Sequence, residues 1–338
     1  MPYNRAATYQ HLRRIKGVRI MIENQPLVSI ITYCFNGEKF VHRYFEGILS
    51  QTYQNIELIF IDNGSTDHTR EVAHSFIPKL ESRGIQVQFI HFEENQCTCD
   101  MKILGINKMH GAYFCGCDSD DVMHPDYIEK MVDYLLQHPD KGMVFCQLDT
   151  IQEETGENLG IMKIIPKHEP KAAFLDLLYA RNSIFTAISY MMSKSHFQKL
   201  YPKNEIYPSL YGENYQIQLP FLYEDLQGYI DLPLGDYYVR NNSYSGKLNS
   251  NPQKQVDAYK GQEDSICATL DHIHPEHQER YELIAKKRLR KDRFYASLYL
   301  KDKAVRRKCF TELKEAQGVT AKERIIYAVR PLYLLIKR

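Results

Sequence analysis

No apolar run in the 338 residues approaches the roughly 18 to 20 needed for a membrane-spanning helix, so no transmembrane segment is expected. The first residues, MPYNRAATYQHLRRIKG, are basic but lack the apolar stretch of a secretory signal, which leads to the expectation of a cytoplasmic protein. No internal repeat and no low-complexity tract interrupts the chain. With 43% hydrophobic and 25% charged residues, the composition excludes disordered and collagen-like chains. The length exceeds one small domain and suits one large domain with an appendage.

Charge is present in both signs but unevenly placed. The net charge is +1, yet from Lys286 onward there are 17 Lys/Arg against 5 Asp/Glu, leaving a body with a net charge of −11. A basic tail on an acidic body suggests contact with a membrane surface, nucleic acid or the body itself, the alternative being a solvated helical face. The eight cysteines include two Cys-x-Cys pairs, Cys97/Cys99 and Cys115/Cys117. Structural zinc sites space their ligands by two or more residues, and Cys115 and Cys117 share one face of an expected strand, so buried reduced thiols are the better reading.

From Leu27 the chain alternates short apolar runs with amphipathic ones. LVSIITYCF, IELIFID, IQVQFIHF, AYFCGC and GMVFCQLD read as strands. Between them, Lys39 to Gln51, the stretch after Asp67, Thr98 to Met109 and the stretch after Pro125 read as helices, with Ser65, Thr66 or Asp67 available as a cap. This alternation predicts crossover units and a mostly parallel α/β sheet. Ligands in such sheets bind outside the carboxyl ends of the strands, where polar clusters stand at Asn36 to Glu38, Asp62 to Asp67 and Asp118 to Asp121. Further on, IFTAISYMM reads as a strand, GENYQIQLPFLY as a helix and GYIDLPLGDYYV as one or two short strands; from about Asn251 the chain is basic and helical.

The run DSDD, residues 118–121, is the sharpest feature. Two carboxylates one residue apart, at a turn after a buried strand, can converge on a hard cation such as Mg²⁺ or Mn²⁺. An EF-hand is excluded, because Val122 falls at a ligand position and the required glycine is missing. The alternative is an acidic turn that caps the next helix.

Taken together, VSIITYCFNGEKF, SQTYQNIELIFIDNGSTDHT and MKILGINKMHGAYFCGCDSDDVMHPDYIEKMV resemble the family 2 glycosyltransferases of GT-A fold in order and spacing. The likeness is strong over about 27–147 and continues with gaps to about 245. It implies a Rossmann-like nucleotide-binding α/β sheet with helices on both faces, plus a helical C-terminal extension. The expected parts are a basic extension over 1–25, a GT-A domain over 26–250 and a helical basic region over 251–338. Within the GT-A domain, 26–150 would serve the nucleotide sugar and 151–250 the acceptor.

The resemblance implies an inverting transfer from a nucleotide-diphosphate sugar, a UDP-sugar above all, to a glycan or lipid-linked acceptor in surface polysaccharide or glycoconjugate assembly. Asp62 would accept the imide N–H of uracil, and Lys102 sits where relatives carry an arginine near the nucleotide. Asp118 would face the ribose, Asp120 would hold Mn²⁺ or Mg²⁺ between the phosphates, and Asp121 would do either or cap the next helix. Asn36 and Glu38 lie on the donor-side loop, and Tyr33 would stack on the base or simply pack. Arg240 replaces a common histidine and would fork onto the diphosphate, a surface ion pair being the alternative.

Relatives supply the catalytic base from a Glu-Asp pair that here reads Glu213-Asn214, and an amide cannot act as a base. Either Glu213 takes the role, or another carboxylate does, or catalysis is impaired; Glu224 and Asp225 lie about three helical turns further on. Competing readings are a catalytically silent nucleotide-sugar-binding protein and a nucleotidyltransferase, although CFNGEKF is not a glycine-rich phosphate loop. No nucleic-acid recognition motif is present. Residues 321–338 pattern as an interfacial helix with Pro331 as a kink, expected to touch the inner face of the cell membrane or else to pack on the body.

Overall fold

The computed structural model describes residues 25–240, 248 and 250–330. The N-terminal extension over 1–24, the VRNNSYS segment beyond Arg240 and the last residues from Pro331 lie outside them. Strand β1 (Val28–Cys34) is followed by helix α1 (Val41–Leu49), β2 (Ile56–Asn63), α2 (Thr69–Ser82), β3 (Gln86–Phe92), α3 (Thr98–Lys108) and β4 (Tyr113–Gly116). The two-residue β5 (Val122–Met123) then leads into α4 (Tyr127–Gln137), β6 (Met143–Gln152) and β7 (Asn158–Met162). Next come α5 (Ala172–Leu178), β8 (Tyr190–Ser193), α6 (Lys194–Leu200), α7 (Glu213–Tyr223) and β9 (Gln227–Val239). Four helices close the described chain: α8 (Pro252–Ile273), α9 (Gln278–Ser297), α10 (Lys303–Glu315) and α11 (Ala321–Ala328).

The strands form one sheet in the order β3-β2-β1-β4-β8-β6-β9-β5, with β7 paired to β6. Pairing is parallel from β3 through β4, as the alternation predicts, but β8, β7 and β5 join antiparallel, so the sheet is mixed. The expected strand IFTAISYMM is shortened to β8 because its first half turns through a 3₁₀ segment at Ala187–Ser189. GYIDLPLGDYYV is a single long strand whose register against β6 shifts around Gln147, opposite Pro233, a residue without an N–H to donate. Pro125 lies ahead of α4, which begins at Tyr127.

Two cores follow from the two-residue strand period. Ile30, Leu58 and Phe60 face Tyr44 and Phe45 of α1 and Phe76 of α2, while Ile31, Ile59 and Ile61 face Met101 and Ile106 of α3 and Ile217 of α7. Burying each such side chain contributes roughly 1.5–3 kcal/mol. Both faces of β1 and β2 are covered, so the two strands are buried along almost their whole length, and the polar residues among them are paired, as Ser29 is with Glu57. All eight cysteines are free, and most are buried.

Ile266 and Leu270 of α8 and Leu289 of α9 extend the second core, whereas Phe294, Leu298, Leu313 and Ile326 make a small core of their own. The tail's basic residues meet acidic groups of the same region: Arg290 pairs with Glu263 at 2.8 Å and Arg293 with Glu312 at 2.5 Å. Helix α11 carries a capping box from Thr320 to Glu323 and packs Ile326 inward, while Ile325 and Val329 stay exposed. The described half of the expected interfacial helix therefore docks on its own bundle. No helix among the described residues is long and apolar enough to cross a membrane.

Candidate active site

The carboxyl ends of β1 and β4, the N-terminus of α7, the end of β9 and Gln262 of α8 enclose a cleft of about 460 Å³. The loops after β1 and β2 are laced together above it. Asn36, held at φ 54°, accepts the Thr66 N–H on Oδ1 at 2.8 Å, and its own N–H donates to Ser65 Oγ. Glu38 accepts the His68 N–H at 2.9 Å. Asp67 accepts the Thr69 N–H and hydroxyl; burial works against its charge, but these bonds hold its carboxyl below the usual range.

The acidic turn after β4 distributes its three carboxylates among different environments. The Asp121 N–H donates to the Asp118 carbonyl at 3.0 Å, closing the turn. Asp118 lines the cleft, and burial, then repulsion from Asp120 and Glu213, push its carboxyl up to about 7 against the opposing charge of Lys102. Asp120 also lines the cleft and pairs with Arg240 at 2.6 Å. The Asp120 carbonyl accepts from Arg43 Nε at 3.1 Å and Nη2 at 2.6 Å, and Arg43 is in turn fixed by Glu153 at 2.6 Å. Asp121 is only 1% exposed; burial and its acidic neighbours raise its carboxyl well above the ordinary range. Its oxygens accept the Tyr238 N–H at 3.1 Å and the Thr186 hydroxyl at 3.4 Å, so it fastens the turn to β9 instead of capping α4.

Across the cleft, Glu213 opens α7 immediately after Gly212, which sits at φ 85°. Its Oε1 pairs with Lys102 Nζ at 3.0 Å and accepts the Tyr33 hydroxyl at 2.7 Å, while Oε2 is buried without a hydrogen-bond partner. Burial opposes the Lys102 charge, but Glu213, Tyr190 and Asp118 outweigh it and hold the ammonium above its ordinary range. The neighbouring Asn214 is fully engaged: Oδ1 accepts the Tyr190 hydroxyl at 3.0 Å and Nδ2 donates to the Phe185 carbonyl at 2.7 Å.

The fold thus brings Tyr33, Asn36, Asp118, Asp120, Glu213 and Arg240 to one cleft. Lys102 reaches the site through Glu213. Asp62 lies beneath it, fully buried, with Oδ1 accepting the Ser65 N–H and Oδ2 paired with Arg70 at 3.0 Å. Glu224 and Asp225 fall at the far end of α7. Sequence reasoning missed Arg43, Phe40 and Gln262. Arg240 stacks over the Phe40 ring at 4.1 Å with Nη1 buried and unpartnered, and Gln262 arrives from a helix that carries no motif.

Asp118 and Asp120 are hard oxygen donors on one turn, and the burial and repulsion that raise the Asp118 carboxyl are what a divalent cation would offset. The unpartnered Arg240 Nη1 beside Asp120 fits an anion accompanying it.

The family model described as Glycosyl transferase family 2 matches residues 29–200. An uncharacterized glycosyltransferase of Haemophilus influenzae is 35% identical over 130 residues, 37% of this chain and 50% of that protein. Glycosyltransferase GlyG of Streptococcus pneumoniae is 32% identical over 130 residues, 38% and 42% of the two chains. The matches span about half or less of these relatives' length. Among solved structures, S. aureus TarS 1-349 in complex with UDP-GlcNAc aligns with TM-score 0.65 and 14% identity, over 88% of this chain and 82% of that one. Mannosyltransferase PcManGT from Pyrobaculum calidifontis, in complex with GDP-Man and Mn²⁺, aligns with TM-score 0.50 and 14% identity over 96% and 91%. At such identities the structural likeness is one of fold.

Proposed function

The chain belongs to glycosyl transferase family 2 and has the GT-A fold; as a glycosyltransferase, we propose, it moves a sugar with inversion from a nucleotide-diphosphate donor to an acceptor hydroxyl. The donor class is a UDP-sugar, Mn²⁺ or Mg²⁺ assists, and the acceptor is a glycan or a lipid-linked glycan. The nucleotide sugars bound by TarS and PcManGT support a nucleotide-diphosphate-sugar donor, the UDP-GlcNAc in TarS favours the uridine form, and the Mn²⁺ in PcManGT supports a divalent ion. Exposed Ile325 and Val329 beside Lys322 and Arg324 offer a peripheral contact with an anionic membrane where a lipid-linked acceptor would lie.

Asp120 holds the ion in this reading, with Asp118 beside it, and Arg43 fixes the turn by binding the Asp120 carbonyl. The ion, when bound, stabilises charge developing on the leaving diphosphate. Arg240 exchanges its contact with Asp120 for the diphosphate, a planar fork suited to phosphate oxygens. Asn36 and Tyr33 border the donor, and Glu38 acts by shaping the loop that carries Asn36. Asp62 reaches the base only if its pairing with Arg70 opens.

Glu213 is the base. It removes the acceptor proton as the hydroxyl attacks the anomeric carbon, using Oε2, while Lys102 and Tyr33 hold Oε1. Asn214 is committed to Tyr190 and Phe185 and has no proton-accepting role.

The observation that carries this reading is the pair of buried, unsatisfied polar atoms on residues lining one cleft, Glu213 Oε2 and Arg240 Nη1, together with Asp118 and Asp120. Unpaired buried groups cost about 1–3 kcal/mol each, and a ligand removes that cost. The test is a thermal-shift panel of nucleotide sugars with and without Mn²⁺, followed by transfer assays of wild type and Glu213→Gln. A specific donor at about a hundredfold over its dissociation constant adds roughly 2.7 kcal/mol of stability. Turnover lost in Glu213→Gln with donor binding kept supports the reading; tight binding with no turnover by wild type on any acceptor would establish a silent binding protein.

A further inference from the structure

Just past the acidic turn, side chains of strands β6 and β9 and of the residue after β5 converge. Asp149 of β6 and Asp236 of β9 are direct partners across the parallel pairing. His124 follows β5, whose Val122 pairs with the same Asp236, and the His124 N–H donates to the Leu234 carbonyl at 2.8 Å. One potential ligand atom from each of His124, Asp149 and Asp236 lies within 4.8 Å of the others, all on half-buried residues.

The imidazole sets the chemistry. His124 Nδ1 faces the Pro233 carbonyl at 3.2 Å, a pure acceptor, so Nδ1 carries a proton. Nε2 faces Asp236 Oδ1 at 2.9 Å, another acceptor. A neutral ring would set a lone pair against a carboxylate oxygen, so Nε2 carries either a second proton or a metal ion. A histidine whose Nδ1–H is anchored on a backbone carbonyl while Nε2 points at carboxylates has the arrangement of a metal-ligating imidazole with its outer support in place. Asp149 has matching support, since its Oδ1 accepts from Asn158 Nδ2 at 2.9 Å. Among the described residues no Lys or Arg forms an ion pair with Asp149 or Asp236. Asp236 thus bonds the imidazole, and an Asp149 oxygen stands within 4.8 Å of it without a bond to the ring.

We infer that His124, Asp149 and Asp236 form a second divalent-cation site, separate from Asp120 and selective for a borderline ion of the Zn²⁺ or Co²⁺ class. One nitrogen and two oxygens favour such ions over Mg²⁺ or Ca²⁺, which take oxygen alone. The role is structural. The ion ties β5, β6 and β9 together four residues after Asp120, so that the turn bearing the donor-side carboxylates is braced from beneath. The inference does not depend on the glycosyl-transfer reading, because none of its three residues lines the donor cleft.

The test titrates Co²⁺ into the full chain carrying Asp120→Asn, with excess Mg²⁺ to occupy oxygen-only sites, and reads the visible absorption of the bound ion alongside calorimetry. One equivalent should bind, and His124→Gln and Asp149→Asn should each raise the dissociation constant at least about tenfold. If His124→Gln does not fold, Asp149→Asn, a change of nearly equal shape, decides by itself. Absence of a saturable equivalent in Asp120→Asn, or unaltered affinity in Asp149→Asn, overturns the site and leaves His124 as an imidazolium held by a proton alone.

Discussion

Lys102 and Glu213, 111 positions apart in the chain, meet at 3.0 Å, and Tyr33 donates to the same carboxylate oxygen at 2.7 Å. One oxygen is held and the other is left free. Removing the cation in Lys102→Met releases the held oxygen and lets the Glu213 carboxylate leave its position, so kcat should fall about tenfold or more. Tyr33→Phe should lower it less. An unaltered kcat in Lys102→Met would remove Glu213 from the base role.

Arg43 grips the Asp120 carbonyl and is locked by Glu153, a geometry that needs a planar fork. Both Arg43→Ala and Arg43→Lys should weaken Mn²⁺ binding in the presence of donor by about tenfold, the usual effect of losing an outer support. Calorimetric titration of Mn²⁺ measures this. A lysine variant equal to wild type would show that charge alone suffices.

Asp118 should make the metal-free protein sensitive to alkali. Its carboxyl is raised to about 7 by burial and by Asp120 and Glu213, so the folded chain keeps a proton that the unfolded chain has lost. That contribution is complete below about pH 4 and disappears as pH rises through about 7. In EDTA, the wild-type Tm should fall between pH 5.5 and 8 while Asp118→Asn stays flatter, by about 1 kcal/mol or more at pH 8. Mn²⁺ should restore the wild type at pH 8 and not the variant.

Gly212 places Glu213. Its φ of 85° suits glycine, and an added Cβ would lie 3.0 Å from Ser265 Cβ on α8. Gly212→Ala should cost about 1–3 kcal/mol in chemical denaturation and reduce transfer beyond what the lost stability explains. A variant of normal activity would mean that the α8 contact does not set the base.

The alternation of strand and helix, the cleft-side position of the acidic turn and the burial of the cysteines were legible because each is a local pattern of period two or 3.6 followed by a break. Asp121 illustrates the limit. In sequence it is indistinguishable from Asp118 and Asp120, yet the turn rotates it inward onto Tyr238 and Thr186. From sequence Arg240 reads as a phosphate ligand or a surface ion pair, and its partner in the structure, Asp120, is one no spacing rule could supply. Likewise the mostly parallel sheet that the alternation predicts is completed by β8, β7 and β5, whose antiparallel joins no local pattern specifies.

The sequence by itself determined the elements, because hydrophobic periodicity and turn residues act over a few positions. It also determined the chemistry within reach of each strand tip, since the side chains at those tips are written there. Only the tertiary structure decided which carboxylate is held by a cation, which is sealed against β9 and which keeps a free oxygen. Those fates depend on contacts between residues tens to hundreds of positions apart. Sheet register and helix packing create such contacts, and burial then makes each of them costly to leave unpaired.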